Sequence, residues 1–505
     1  MLAVKETAAA TMPCADAPAV KAPSVRLLAR NFLLLSAGEL AAKLLTFAAF
    51  VYLARVLGPE RSGSLEFVLA IMVFFTLAVD LGLGTYGARE IARDRSQASA
   101  LLRDLAMLRL LLASGSFLVL LLVAALVPKS LDAQLLLVLY GLSLFAYPAL
   151  LQWFFQGHDQ MQWVALASIT RQGVFTGLLF AFFRPGTSLA YVGLFECISV
   201  ATVAAGCLCV ARRRFHATLP GPRMKLESSL GQLRQALPIG LSELAWALFW
   251  YLATVQLGLL VGGEQLGWYG VSHRGVMALH TFVWLYFFNL LPSLARCVAL
   301  PAEQLPALLR RSLGLTAWGG IFVALMFTLL AGELLSLVYG SEFMGAVLPL
   351  SVLVWMIPIA LLSGHYRYTL IAYNLQRLEF GCTAAAAIMA AGLGLLLIPA
   401  QGAVGAALAL LVANVGNLAL AFYCVQRRVT RVSFHVQLIL PLAATTIAVA
   451  VFFGLVKFNP WLAAGAAALA YLVIPVALYR RRISALWLTG PQRLLLSPVD
   501  ELKTV

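Results

Sequence analysis

Fourteen apolar runs, each about twenty residues long and joined by short polar connections, leave this chain few ways to fold. They cover residues 32–54, 65–84, 105–126, 135–155, 163–183, 189–210, 237–261, 268–290, 313–338, 348–372, 381–398, 404–425, 438–455 and 462–478. A hydrocarbon core of ~30 Å takes ~20 residues of helix to cross. Inside it the backbone must satisfy its own hydrogen bonds, so each run reads as an α-helix. Only 11% of the 505 residues are charged, and 62% are hydrophobic. Soluble domains carry about 25% charged residues, so most of this surface cannot face water. The expectation is an all-α integral membrane protein with about 14 transmembrane helices.

Charge sets the orientation. With both termini placed in the cytoplasm, 27 of the 36 basic residues fall on cytoplasmic segments, Lys225 and Arg428 among them. Five fall on the opposite side (Arg55, Arg61, Lys129, Arg184, Lys457) and four lie within spans (Lys43, Arg109, Arg171, Arg274), with Arg367, near the cytoplasmic end of its run, counted as cytoplasmic. That asymmetry follows the positive-inside rule, and the net charge of +15 then calls for anionic membrane lipids and no nucleic acid. Residues 1–30 are rich in Ala and Pro and lack an apolar core, so no cleavable signal peptide is expected there. The seven cysteines are scattered without a CxxC pair and read as small apolar fillers. There is no Walker motif, no GxGxxG after a strand and no HExxH. No cofactor is expected, and no loop is long enough for a catalytic domain.

An internal repeat organises the runs. Laying "GEL" (38–40) over "SEL" (242–244), an offset of 204, brings "VLGPERSG" (56–63) onto "LVGGEQLG" (260–267) without a gap. Glu39 then matches Glu243, Gly58 matches Gly262, and Gly63 matches Gly267. Six helices separate the copies, so the repeat is parallel, about an axis along the membrane normal. The expected architecture is two six-helix lobes related by a pseudo-two-fold, residues 31–210 and 236–425, joined by a basic cytoplasmic linker at 211–235. Two extra helices occupy 426–479. A cytoplasmic disordered segment (1–30) and a cytoplasmic tail (480–505) complete the chain.

A charge at mid-span costs ~2.5–3.5 kcal/mol on insertion scales and wants a partner or a wet cavity. Glu39 and Lys43 stand four apart and can neutralise one another or line a cavity. Glu243 has Ala247 four residues on, and so lacks that partner. Arg109 is near enough to the cytoplasmic end to snorkel. Arg171 and Arg274 lie about two turns inside their runs. His280, His365 and Arg367 can serve either helix packing or a cavity. The stretch "VDLGLGTYGAREIARDR" (79–95) ends the second run with Asp80 and glycines. Its Arg89, Arg93 and Arg95 form a collar suited to anionic headgroups.

The segment "NFLLLSAGELAAKLLTFAAFVYLARVLGPERSGSLEFVLA" (31–70), followed by "DLGLGTYGAREIAR" (80–93), resembles the start of the Wzx-type polysaccharide-exporting flippases of the MATE-like superfamily. So do "WFFQGHDQMQW" (153–163), "LGWYGVSHRG" (266–275) and "GAVGAALALLVAN" (402–414), in the family's order. The sequence departs from the family at Ser62, Ser64 and Leu65, where "FG" and a small or aromatic residue are usual. The resemblance implies translocation of undecaprenyl-diphosphate-linked oligosaccharide across the inner membrane for O-antigen, exopolysaccharide or capsule synthesis, by lobes opening alternately, with the first and eighth helices beside a lateral gate. It implies cavity-lining arginines at Arg171 and Arg274, and a polysaccharide polymerase and chain-length regulator as partners. Glu39, Lys43, Glu243 and Arg367 complete the candidate cavity set. A cation-coupled drug antiporter of the same superfamily remains open because of Glu39 and Glu243. An integral-membrane polymerase or ligase would want a large external loop, which this sequence lacks.

Overall fold

The computed structural model describes residues 25–127, 129–217, 226–301 and 303–489. Most of the N-terminal segment, part of the basic linker including Lys225, and the end of the tail lie outside the described residues. Among the described residues there is no strand. Twelve helical segments are long and apolar enough to cross a membrane. Two of them, Ser36–Arg93 and Gln376–Arg428, each hold two of the predicted helices, which recovers the fourteen runs.

The two double-length segments are continuous for a physical reason. Helix α1 (Val25–Asp80) bends at Gly58, whose φ of 69° and ψ of 175° no other residue adopts cheaply. The following Pro59 then restarts the helix, having no N–H to leave unsatisfied. A glycine bend also joins the two halves of α14 (Gln376–Arg428), at Gly402 with φ 54°, though there Ala403 follows and the proline, Pro399, precedes. At Asp80 the chain stops with two left-handed residues, Leu81 and Gly82. The short helix α2 (Leu83–Arg93) follows. It buries Leu83, Tyr86 and Ile91 and turns Arg89 and Arg93 outward, each bonded to Glu90 at 3.1 Å. Arg95 reaches Asp159 at 2.7 Å.

Three predicted helices prove to be broken. Residues 135–155 were expected as one span. Instead α4 (Leu131–Gly141) passes through two 3₁₀ turns, Leu142–Phe145 and Tyr147–Ala149, into α5 (Gln152–Gly157). Pro148 cannot donate to the helical ladder, and this interrupts it. Residues 313–338 divide at Leu330 between α10 (Gln304–Leu329) and α11 (Ala331–Val338). Residues 348–372 divide between α12 (Val347–Leu353) and α13 (Met356–Ala372), just before Pro358.

The helices pack in two groups. In the first, α1 lies against α3 (Ala98–Leu126) and α6 (Met161–Phe182), while α7 (Ala190–Phe215) covers α4 and α6. In the second, α8 (Leu226–Leu260) lies along α14, and α13 packs on α14, α10 and α9 (Gly263–Cys297). Helices α15 (His435–Leu455) and α16 (Pro460–Thr489) pair with one another beside α10. There the Tyr471 hydroxyl donates to the Trp318 carbonyl at 3.0 Å. Leucines and isoleucines such as Ile388, Leu396 and Leu462 are about three-quarters exposed, as a lipid-facing belt requires.

The two groups meet along α1, α8 and α9, and they touch at both ends of the bundle. At the Gly58 end a Cβ on Gly63 would lie 2.5 Å from the Gly263 carbonyl, and one on Gly267 would collide with the Pro59 carbonyl. The repeat-related glycines therefore allow the closest approach of the two halves. At the Asp80 end, Gly82 and Gly240 pack backbone to backbone, with a Cβ on Gly82 2.7 Å from the Gly240 nitrogen.

Candidate functional site

Between these contacts lies a cavity of about 290 Å³. Its charged lining is Glu66, Arg171 and Arg274, and its walls include Tyr140, Tyr147 and Tyr251. Arg171 comes from α6 in the first half and Arg274 from α9 in the second. The structure thus brings these two sequence candidates into one chamber.

Neither arginine is alone. Arg171 donates from Nε to Glu196 Oε1 at 3.1 Å and also from Nη2 to the same oxygen. Its Nη2 reaches the Tyr147 hydroxyl at 3.0 Å, which the broken α4–α5 segment presents. Arg274 donates from Nε and Nη2 to Glu66 Oε1 at 3.1 and 2.5 Å. Its guanidinium stacks on Phe50, 3.5 Å from the ring centroid. Both arginines therefore spend one edge on a carboxylate and retain Nη1, a donor with no hydrogen bond among the described residues. Guanidinium keeps its charge and can offer a fork to phosphate oxygens.

The other candidates lie elsewhere. Glu39 is exposed and accepts from the Ser168 hydroxyl at 3.1 Å. Lys43 is exposed too, and no ion pair joins it to Glu39 among the described residues. Neither lines the cavity, and in place of the expected pairing Glu39 makes a polar contact with α6. Glu243 is half-buried near the Asp80 end, within electrostatic reach of Arg109. Arg367 is held by Glu379, with Nε to Oε1 at 2.9 Å, and Thr383 shares that oxygen at 3.2 Å. It cements α13 to α14 and does not line the cavity. His365 is buried, bonded to Ser312 at 2.7 Å. His280 packs edge-on to Trp250. Arg109 does not snorkel. It is buried, paired with Asp80 and set 5.7 Å from the Trp153 ring centroid.

The sequence candidates include the intramembrane acids Glu39 and Glu243 but not Glu66 and Glu196. Both were visible as carboxylates inside apolar runs, where an uncompensated charge is costly. Their absence from the candidate set made the arginines look unpaired.

The family model described as "Polysaccharide biosynthesis protein" matches residues 28–298, more than half of the chain. The chain belongs to this family. A protein of Escherichia coli (strain K12) named for O-antigen transport is 24% identical over 333 residues, covering 65% of this chain and 79% of that one. Among solved structures, the lipid II flippase MurJ in an inward closed conformation superposes with a TM-score of 0.73 at 11% identity, over 89% of this chain and all of that one. An inward-facing multidrug resistance MATE family transporter of the MOP superfamily gives a TM-score of 0.62 at 15% identity, over 77% and 94% of the two chains. A MOP superfamily transporter from Pyrococcus furiosus, described as having a binding pocket of reverse polarity, gives 0.56 at 15% identity, over 80% and 95%. This polysaccharide biosynthesis protein therefore has the two-lobe fold of the MOP superfamily. The Wzx-type resemblance of its motifs agrees with the family match and with these relatives. It is a multi-pass membrane protein of a transport family, not an enzyme.

Proposed function

We propose that this protein is a flippase that moves undecaprenyl-diphosphate-linked oligosaccharide from the cytoplasmic to the periplasmic face of the inner membrane. Both termini lie in the cytoplasm, and the Gly58 end faces the periplasm. Residues 31–210 and 236–425 act as lobes that open alternately, and a polymerase and chain-length regulator receive the product. The observation that carries this reading is the convergence of Arg171 and Arg274, one from each half, on a single tyrosine-walled cavity. Two guanidinium groups with unused donors suit a diphosphate, and tyrosine faces with hydroxyl edges suit a sugar. A chamber of this size cannot hold an oligosaccharide while the halves touch at both ends, so loading requires them to part.

The test is glycan export in a strain lacking its own transporter, normalised to the amount of protein in the membrane. Arg171→Gln and Arg274→Gln are expected to lose export at least tenfold, the effect of removing about 1.4 kcal/mol of binding. The lysine variants should retain part of it, since lysine keeps the charge without the fork. Full export by both glutamine variants at normal protein levels would end this reading. Glu66 in the cavity gives the antiporter alternative its foothold. That alternative predicts drug efflux lost in Glu66→Gln and kept in Arg274→Gln.

A further inference from the structure

Arg274 and Glu66 differ from the other intramembrane pairs in what they connect. Arg171–Glu196 joins α6 to α7, Arg109–Asp80 joins α3 to α1, and Arg367–Glu379 joins α13 to α14. Each of those stays within one half. Arg274–Glu66 runs from α9 to α1 and crosses between the halves. It does so inside the cavity, and both side chains are mostly buried, at 22% and 14% exposed. Gly270 on α9 has no side chain where Glu66 passes, and a Cβ there would collide with the Glu66 Cγ. The Glu66 side chain thereby crosses the α1–α9 seam over Gly270, one turn from Arg274.

The cavity cannot keep this arrangement and also take in a diphosphate. Each guanidinium already has a carboxylate partner, Glu66 in the lining and Glu196 behind Arg171, so an entering anion competes with a carboxylate at both. Arg274 presents its Nε–Nη2 edge to Glu66, and that edge is the fork a phosphate would use. Glu66 and Glu196 each hold their arginine through one oxygen, so burial and further support decide between them. Glu196 is more deeply buried at 7% exposed, and the Ser199 hydroxyl lies 3.5 Å from its second oxygen. Of the two carboxylates, Glu66 is therefore the one to yield, and yielding cuts the polar tie between α1 and α9.

Resting on the flippase reading above, we propose that Glu66 is an internal counter-ion that the substrate's phosphate displaces from Arg274, and that this exchange unlatches the two halves. Substrate binding and opening are then one event. Glu66 is a positioning residue that sets when Arg274 becomes available, and the empty carrier stays latched.

The experiment uses the purified full-length protein in lipid nanodiscs, with its seven cysteines replaced. One reporter is introduced, Thr254→Cys, at a buried cavity position. The rate of labelling by a charged maleimide reports opening. Without added lipid the parent should label slowly. Undecaprenyl diphosphate should raise the rate several-fold, and uncharged undecaprenol should not. Glu66→Gln should label at the raised rate with no lipid present and gain nothing further. The swapped pair, Glu66→Arg with Arg274→Glu, should restore the slow rate and lose the response. Should Glu66→Gln fail to fold, the swapped pair and the parent's lipid response still decide. A Glu66→Gln rate equal to the parent's, a swapped pair that stays open, or a parent indifferent to undecaprenyl diphosphate would each overturn the proposal. The lipid-free rates test the latch apart from transport. Loss of the flippase reading in the export assay would leave them unchanged.

Discussion

Arg171 and Glu196 show how much one charge depends on another within the bilayer. Breaking a buried pair leaves an uncompensated charge and costs roughly 3–5 kcal/mol, whereas removing both partners costs far less. Arg171 is one-third exposed, which places this pair at the lower end. Glu196→Gln is thus expected to lower the thermal midpoint of the detergent-purified protein, and Arg171→Gln with Glu196→Gln to recover most of the loss. A double variant no more stable than the worse single one would show that the two residues do not act as a pair. Tyr147→Phe, which removes one hydrogen bond from the charged Arg171 guanidinium, should cost about 1.5–3 kcal/mol. The arginines were legible in the sequence because basic residues are rare within apolar runs. Glu66 and Glu196 were as visible as the arginines, but which arginine each would join was not, because pairing across helices follows from packing and leaves no trace in spacing. The one pairing that spacing did suggest, Glu39 with Lys43, gave way to a contact between α1 and α6.

At the scale of the helix, the turn glycines carry the architecture. Gly58 and Gly262 are 204 residues apart and adopt the same φ of 69°, with ψ of 175° and −153°. Both bend the chain at the Gly58 end, which is how the repeat seen in the sequence appears in three dimensions. Gly58→Ala would force a Cβ into that conformation at about 1–3 kcal/mol. The expected result is a thermal midpoint lower by several degrees, and Gly262→Ala should behave alike. An unchanged midpoint in both would mean that the bends relax without cost. Apolar length predicted where the helices lie but not where they break. The span at residues 135–155 keeps its hydrophobicity straight through Tyr147–Ala149, so no polar signal marks the interruption at Pro148. The break still matters to the site, since it presents Tyr147 to Arg171.

Across the whole molecule, the charge asymmetry and the contacts between halves lead to two further outcomes. The first concerns orientation. Cysteines placed at Lys129 and Lys457 should react with an impermeant thiol reagent in cells whose outer membrane has been permeabilised, and one at Arg428 only after lysis. Labelling of position 428 in unlysed cells would invert the topology. The second concerns motion. The halves touch at both ends, through Gly63 and Gly267 at one and Gly82 and Gly240 at the other. Substrate can enter and leave only if these contacts break in turn, so a covalent tie at one end should stop transport. Arg55 supplies a place for that tie. It donates from the first half to the Val338 and Leu337 carbonyls of the second, at 2.7 and 2.5 Å. Both Arg55 and Leu337 are exposed at the Gly58 end, within reach of a reagent. Arg55→Cys with Leu337→Cys, bridged by a cleavable bifunctional thiol reagent, should abolish glycan export, and cleavage by reductant should restore it. The same double variant without bridging controls for the lost Arg55 hydrogen bonds. Export that continues in the bridged protein would rule out parting of the halves at this end, and the substrate would then need a route that leaves the Gly63–Gly267 contact intact.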